Sequence, residues 1–369
     1  MKPGLFPAVV LTALLLCRPV GGAEGGGGPF IGFSSFAGFG RTPGDQPGGT
    51  VLTSPVIEAG AAWDELVPSW NLAPAPGNRL KVEVRALYPD HATKYYVMGL
   101  YAAALPAAAD APGPTGRQSV KGQQDDDGDV STDTLVLRKP CRQAQVRLTF
   151  EGSAPGPDGL KFFSLSLADR HAAAVPPPGN PAARGVTLRV PERSQMSYPG
   201  GNVLCSPTTV SMLLGFWAGE LKRPELDHDV PEVQRGVYDA VWKGTGNWSF
   251  NMAFAGSQPG LRACVSRFAG VGELEDWIAG GLPVGLSVCI RRLAGKEGLP
   301  IEGHLVVCIG FTREGDVILN DPGRSREIHR VIPRQTLLHA WEASGRTVYL
   351  VYPENAKLPS ARLGHWQRQ

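Results

Sequence analysis

The stretch Gly200-Gly201-Asn202-Val203-Leu204-Cys205-Ser206-Pro207-Thr208-Thr209-Val210-Ser211-Met212-Leu213-Leu214 decides how the second half of the chain folds. From Cys205 onward the apolar residues Val210, Leu213, Leu214 and Trp217 recur at helical spacing. Pro207 falls in the first turn, where its missing N–H would have no helical partner anyway. A helix opening at Cys205 is therefore predicted, with further helices over 231–242 and 274–279. Strands are predicted at 186–190, 283–290, 304–311, 317–320 and 347–351. Helices first and a sheet afterwards make 185–355 an α+β domain.

Upstream the period changes to two. Lys81-Val82-Glu83-Val84-Arg85-Ala86-Leu87 alternates polar with apolar, as a half-buried strand should. Similar runs at 95–101, 134–137, 145–150 and 161–167, with Pro, Gly and Asp between them, predict an antiparallel β-sandwich over 51–172. The Pro176-Pro177-Pro178-Gly179 run marks 173–184 as a linker, and 356–369 reads as a tail. Residues 24–50, rich in Gly and Pro, read as a flexible leader. Before them, Lys2, the apolar run from Leu5 to Cys17, and the small residues Gly21, Gly22 and Ala23 have the order of a cleaved signal peptide. That run is too short for a stable membrane span. A secreted or periplasmic protein is expected. Lipidation at Cys17 is disfavoured by Leu16, which stands where such signals carry a small residue.

Composition narrows the class. Hydrophobic residues are 42% and charged residues 19%, which is globular, and a formal net charge of +2 gives no electrostatic reason to expect nucleic acid. Of six cysteines, Cys141, Cys205, Cys264, Cys289 and Cys308 lie beyond the expected cleavage site. An odd number leaves at least one thiol unpaired. Cys289 and Cys308 fall in strands that a disulfide would suit if they were neighbours; buried thiols are the alternative.

Cys205 is singled out by position. At a helix start it sees unpaired N–H groups and the positive end of the dipole, both of which favour thiolate. A nucleophilic thiol needs a base, and His304 is the histidine with a carboxylate in register. It opens the strand Gly303-His304-Leu305-Val306-Val307-Cys308, which the turn Thr312-Arg313-Glu314-Gly315 joins to Val317-Ile318-Leu319-Asn320-Asp321-Pro322. If Phe311 pairs with Asp316, His304 stands opposite Gly323, and Asp321 lies two positions away on the same face. Asp321 then fixes the ring while its other nitrogen faces Cys205. A slip of one residue would put Asn320 there instead. The Cys205 N–H and the Gln195 side-chain amide are the candidate oxyanion donors.

The ordered set Gln195, Cys205-Ser206-Pro207-Thr208-Thr209, Gly303-His304 and Asn320-Asp321-Pro322 resembles the bacteriocin-processing (double-glycine) peptidase superfamily. The resemblance is strongest to its secreted "peptidase C39-like" members, and Gly246-Asn247-Trp248-Ser249-Phe250-Asn251 and Gly281-Leu282-Pro283-Val284 add to it. It covers about 185–355 and implies a papain-like cysteine peptidase fold. It assigns nucleophile, base, orienting carboxylate and oxyanion donor to Cys205, His304, Asp321 and Gln195. Leu204-Cys205-Ser206 departs from the Asp-Cys-Gly of transporter-linked members, so leader processing coupled to export does not carry over.

The expected reaction is hydrolysis of a peptide, or of a peptide-like cell-wall amide, through a Cys205 thioester, without metal or cofactor and by a monomer. Acyl transfer on the same scaffold and a non-catalytic peptide- and glycan-binding role are the competing readings, with any glycan contact falling to the sandwich. Asn247, Trp248 and Phe250, together with Trp242, are expected to line the substrate cleft. Asp125-Asp126-Asp127-Gly128-Asp129 reads as a solvated acidic turn, because Val130 stands where a calcium loop needs Gly.

Overall fold

The computed structural model describes residues 28–104, 116–152, 155–172, 176–297, 303–359 and 366–368. The expected signal peptide lies outside them.

The N-terminal half is built from β1 (Phe30–Phe33), β2 (Gly40–Pro43), β3 (Thr50–Thr53), β4 (Ile57–Leu72), β5 (Arg79–Leu87), β6 (Tyr96–Ala102), β7 (Gly128–Ser131), β8 (Thr134–Glu151) and β9 (Leu160–Ala168). With a tenth strand from the end of the chain they form one continuous sheet. β8 joins its two arms. Its first residues pair with β7 and β4, while 143–151 pair with β5 and 147–150 with β3. The runs expected at 134–137 and 145–150 are thus one strand through Pro140. The register with β4 is irregular there, and only Cys141 pairs, with Trp63. Inward residues of both arms, among them Trp63, Leu66 and Trp70 from β4 and Val82, Tyr96 and Met98 from β5 and β6, share one core.

The expected flexible leader is corrected from residue 28 onward. Phe30, Ile31 and Phe33 are buried, and β1 pairs antiparallel with β9. Glycine and proline set the turns around β1 and β2, and the apolar residues between them still have a core to fill. The expected tail contributes the tenth strand, which pairs parallel to β1 through Phe30 and residue 366.

The second half carries six helices among the described residues: α1 (Cys205–Leu221), α2 (Val230–Val237), α3 (Trp248–Ser257), α4 (Val271–Ala279), α5 (Ile290–Leu293) and α6 (Arg334–Glu342). Its sheet comprises β10 (Leu261–Arg267), β11 (Val284–Cys289), β12 (Gly303–Phe311), β13 (Val317–Asn320), β14 (His329–Ile332) and β15 (Thr347–Pro353), and β16 (Trp366–Arg368) completes the first sheet. The second sheet is antiparallel throughout, in the order β10-β15-β11-β12-β13-β14. The architecture is α+β, with two largely antiparallel sheets. The strand expected at 186–190 is reduced to a single bridge from Thr187 to Gly310, with another from Arg184 to Phe311 just before it.

The halves are joined by satisfied polar groups as well as apolar packing. β10 is the edge of its sheet, and β4 covers that edge with side chains rather than backbone. Asn71 donates Nδ2–H to the Ala263 carbonyl at 2.8 Å and accepts from the Ala263 N–H at 2.9 Å; Ser69 Oγ accepts from the Val265 N–H at 2.9 Å. An amide side chain thereby replaces the missing neighbouring strand, so the edge is neither unsatisfied nor open to pairing.

Candidate active site

α1 places Cys205 at its first position, and the residue is half-buried. The turn ahead of it is closed by Gly200 at φ 69°, a left-handed conformation that suits glycine. Thr208 Oγ1 donates back to the Leu204 carbonyl at 2.7 Å, and Ser206 Oγ shares a 2.9 Å hydrogen bond with the buried Tyr349 hydroxyl of β15. The Cys205 end of α1 is therefore pinned to the sheet.

β12 and β13 supply the partner groups. Val307 pairs with Asn320 and Cys308 with Leu319, but beyond a bulge at Ile309 the register shifts, and Phe311 pairs with Val317. The expected pairing of Phe311 with Asp316 is thus one residue off beside the turn, where Thr312 N–H bonds the Asp316 carbonyl instead. The bulge absorbs the difference, and at the site end the expected alignment holds. Gly323 sits against the His304 ring: a Cβ there would come within 3.0 Å of Cε1 and 3.1 Å of Nε2.

His304 and Asp321 are both buried, and His304 Nε2 hydrogen bonds Asp321 Oδ1 at 2.7 Å. That leaves Nδ1 for the Cys205 thiol, with which the ring also hydrogen bonds. Asn320 takes no part. Its Nδ2–H donates to the Val190 carbonyl at 3.1 Å, fastening the strand to the segment that leads to Gln195. Arg330, which the sequence reading missed, closes the far side: Nη1 donates to Asp321 Oδ2 at 2.6 Å, and the Gly323 N–H donates to Oδ1 at 3.0 Å. Arg330 sits in a short, mostly exposed strand whose sequence carries no distinguishing signal.

Electrostatics follow from this geometry. Burial works against an ionised Asp321, yet the His304 hydrogen bond and charge together with Arg330 hold its pKa down at about 2. Burial likewise disfavours a charged His304, but its bonds to Asp321 and Cys205 raise it to about 9. Burial pushes the Cys205 thiol up, and this is outweighed by His304 and by the N–H groups of Leu305 and Ser206, so the net shift is downward. Each shift favours the charged form of its group, and the two titrations belong to the pair as a unit.

Asp321→Asn keeps an acceptor and removes the charge, so His304 titration, followed by NMR, is expected to fall from about 9 toward the ordinary ~6.5. A His304 titration unchanged by the substitution would contradict this account. The linkage sign is definite. The depressed Asp321 contributes about 2 kcal/mol of stability above its unfolded value near 4, and this is lost as pH falls through about 2.

Gln195 is buried in a short 3-10 turn, and its Oε1 has no hydrogen-bond partner. Its N–H donates to the Pro322 carbonyl at 2.9 Å, and its own carbonyl packs on Gly201, so it bridges the Asp321 loop and the turn before Cys205.

The expected cleft residues fare differently. Phe250 is corrected: it is fully buried in the N-terminal core, 6.0 Å from Trp70 and 6.1 Å from Tyr101 between ring centroids. Asn247 is corrected too. It is the buried N-cap of α3, accepting from the Phe250 N–H at 3.0 Å and donating to Asp239 at 3.1 Å. Trp248 is half-buried, and its backbone N–H is bound by Asp133 of the N-terminal half. Trp248 and Phe250 thus stand in the first turn of α3. No disulfide joins any of the five described cysteines; in the ladder Cys289 pairs with Gly303, not Cys308. Asp125 spends its carboxylate on Tyr96, Lys94 and the N–H groups of Asp127 and Gly128.

Residues 187–349 match the Peptidase_C39 like family, and residues 48–158 match the Peptidase C39 N-terminal domain. No curated protein matches the chain. A solved structure from Bacillus anthracis, described as a C39-like peptidase, shares 17% identity over 47% of this chain and 98% of its own, with a TM-score of 0.36. The chain thus carries a C39-like peptidase domain over residues 187–349, preceded by a segment that matches the N-terminal domain of C39 peptidases.

Proposed function

We propose that the protein is an exported cysteine peptidase or amidase in which Cys205 is the nucleophile and His304 its acid–base. The observation that carries this reading is the hydrogen-bonded line from the Cys205 thiol through the buried His304 to the buried Asp321, closed by Arg330. The Cys205 thiolate attacks the scissile carbonyl carbon. The oxyanion is held by the Cys205 N–H, one of the helix-start donors without a helical partner, and by the Gln195 amide. Collapse expels the amine, which takes the proton from the His304 imidazolium, and leaves a thioester. Neutral His304 then takes a proton from water as its oxygen attacks the acyl carbon. The carboxylic acid leaves, and thiolate and imidazolium are restored. Asp321 orients the ring throughout and stays ionised.

The substrate is a peptide or a peptide-like cell-wall amide. We read the second half as papain-like, because a thiol at a helix start faces a base on an antiparallel sheet. The N-terminal half we read as a sandwich, because its two arms enclose one core. The export signal rests on the sequence of residues 1–23 alone.

The test is iodoacetamide labelling across pH. Cys205 is expected to react selectively and at lower pH than an ordinary thiol, while Cys264 and Cys308, both pushed by burial up to about 12, stay unmodified. Slow labelling of Cys205 with the pH profile of an ordinary thiol would sink the assignment.

A further inference from the structure

Three large apolar side chains stand exposed around the start of α1: Met196 at 49%, Val203 at 62% and Trp242 at 44%. Backbone packing and a hydrogen bond join the segments that carry them. Met196 packs by its backbone on Gly201, two residues before Val203. The Val203 carbonyl accepts from Thr245 Oγ1 at 3.0 Å, and Thr245 belongs to the loop 239–247 that carries Trp242. Val203 itself is two residues from Cys205. The segments that bear the three side chains thus border the turn that delivers Cys205.

The indole is placed, not merely left exposed. It lies across Gly244 and Gly246; a Cβ on Gly244 would come within 2.5 Å of the ring, and one on Gly246 within 2.9 Å. Neither glycine has a positive φ, so they are required for the space they leave. The loop is also held stiffly. The buried Asp239 accepts from the Val241 and Trp242 N–H groups at 3.0 Å each, from Asn247 Nδ2–H at 3.1 Å, and from the Ser119 N–H of the N-terminal half at 3.1 Å. A rigid aromatic face presented to solvent next to a nucleophile is the preorganised surface that binding an apolar side chain requires.

We infer that Trp242, with Val203 and Met196, is the specificity-determining subsite of the peptidase, and that it grips a bulky apolar side chain of the substrate next to the scissile bond. This rests on the proposed Cys205 chemistry. Burying such a side chain is worth about 1.5–3 kcal/mol, a factor of roughly ten to a hundred in selectivity.

The experiment compares inactivation rates by dipeptidyl chloromethyl ketones carrying Phe, or Asp, at either residue, with iodoacetamide as the side-chain-free reference. The wild-type protein is expected to favour one Phe reagent over its Asp counterpart at least tenfold. Trp242→Ala, which deletes the ring, and Gly244→Ala, which displaces it, are each expected to bring that ratio toward one while the iodoacetamide rate stays the same. A wild-type ratio near one, or a ratio that survives both substitutions, overturns the subsite. Failure of the Cys205 reading registers separately, as a slow iodoacetamide reaction in the wild type, and the Phe-to-Asp ratio still reports recognition in that case.

Discussion

His304→Ala is expected to lower kcat/KM for peptide hydrolysis about a thousandfold or more, because it removes the proton acceptor for the thiol and the donor for the departing amine together. The ground state changes as well. Without the ring, burial dominates at Cys205, and the thiol moves upward from its depressed position. Iodoacetamide labelling should therefore fade at neutral pH and recover only in alkali. The fold should persist, since α1 is still pinned through Tyr349 and Asp321 keeps Arg330 and the Gly323 N–H. In the wild type, activity should decline above about pH 9 as His304 loses its proton. Stability carries the same sign: a raised histidine stabilises fully below its unfolded value near 6.5, and that contribution disappears as pH rises through about 9. A His304→Ala protein that still turns over peptide within tenfold of wild type would show that His304 is not the base.

Much of this site is legible in the sequence for physical reasons. The start of α1 follows from Pro207 and the apolar spacing behind it, and a helix-start thiol follows from that. The His304–Asp321 pairing follows from the short turn between two apolar strands. The bulge at Ile309 is not written in any residue type, and the alignment is right at His304 only because the bulge offsets the one-residue error beside the turn. Arg330 escapes notice because charge pairing between separate strands depends on a register that the sequence does not give. α3 is missed for a different reason. It is buried on every side, against the N-terminal core through Phe250 and Ala253 and against its own half through Met252 and Ala255, so it has no polar face and no helical periodicity. Its one readable signal is Asn247, a residue that favours the N-cap. β1 is hidden by the Gly- and Pro-rich sequence around it.

Phe250→Ala is expected to cost about 3–5 kcal/mol, read as a lowered midpoint in chemical denaturation, because it opens a cavity where neighbouring groups cannot collapse. The ring is fully buried against Trp70 and Tyr101, and Gly99 lies so close that a Cβ there would sit 3.1 Å from Phe250. Phe250 belongs by chain to the thiol-bearing half and by packing to the other, so the loss falls on their junction. Exchange of the Ala263 and Val265 amides, which Asn71 and Ser69 protect across that junction, should accelerate more than exchange in β12. The site should respond before the fold does. Asn251, the next residue of α3, donates Nδ2–H to the carbonyls of Thr245 and Asn247 at 2.8 and 2.7 Å and so holds the loop that carries Trp242. Under conditions where the variant is still folded, its preference for Phe-bearing reagents should weaken while its iodoacetamide rate is retained. A loss of stability below about 1 kcal/mol, with amide exchange unchanged at Ala263 and Val265, would mean that the two halves are not coupled through this ring.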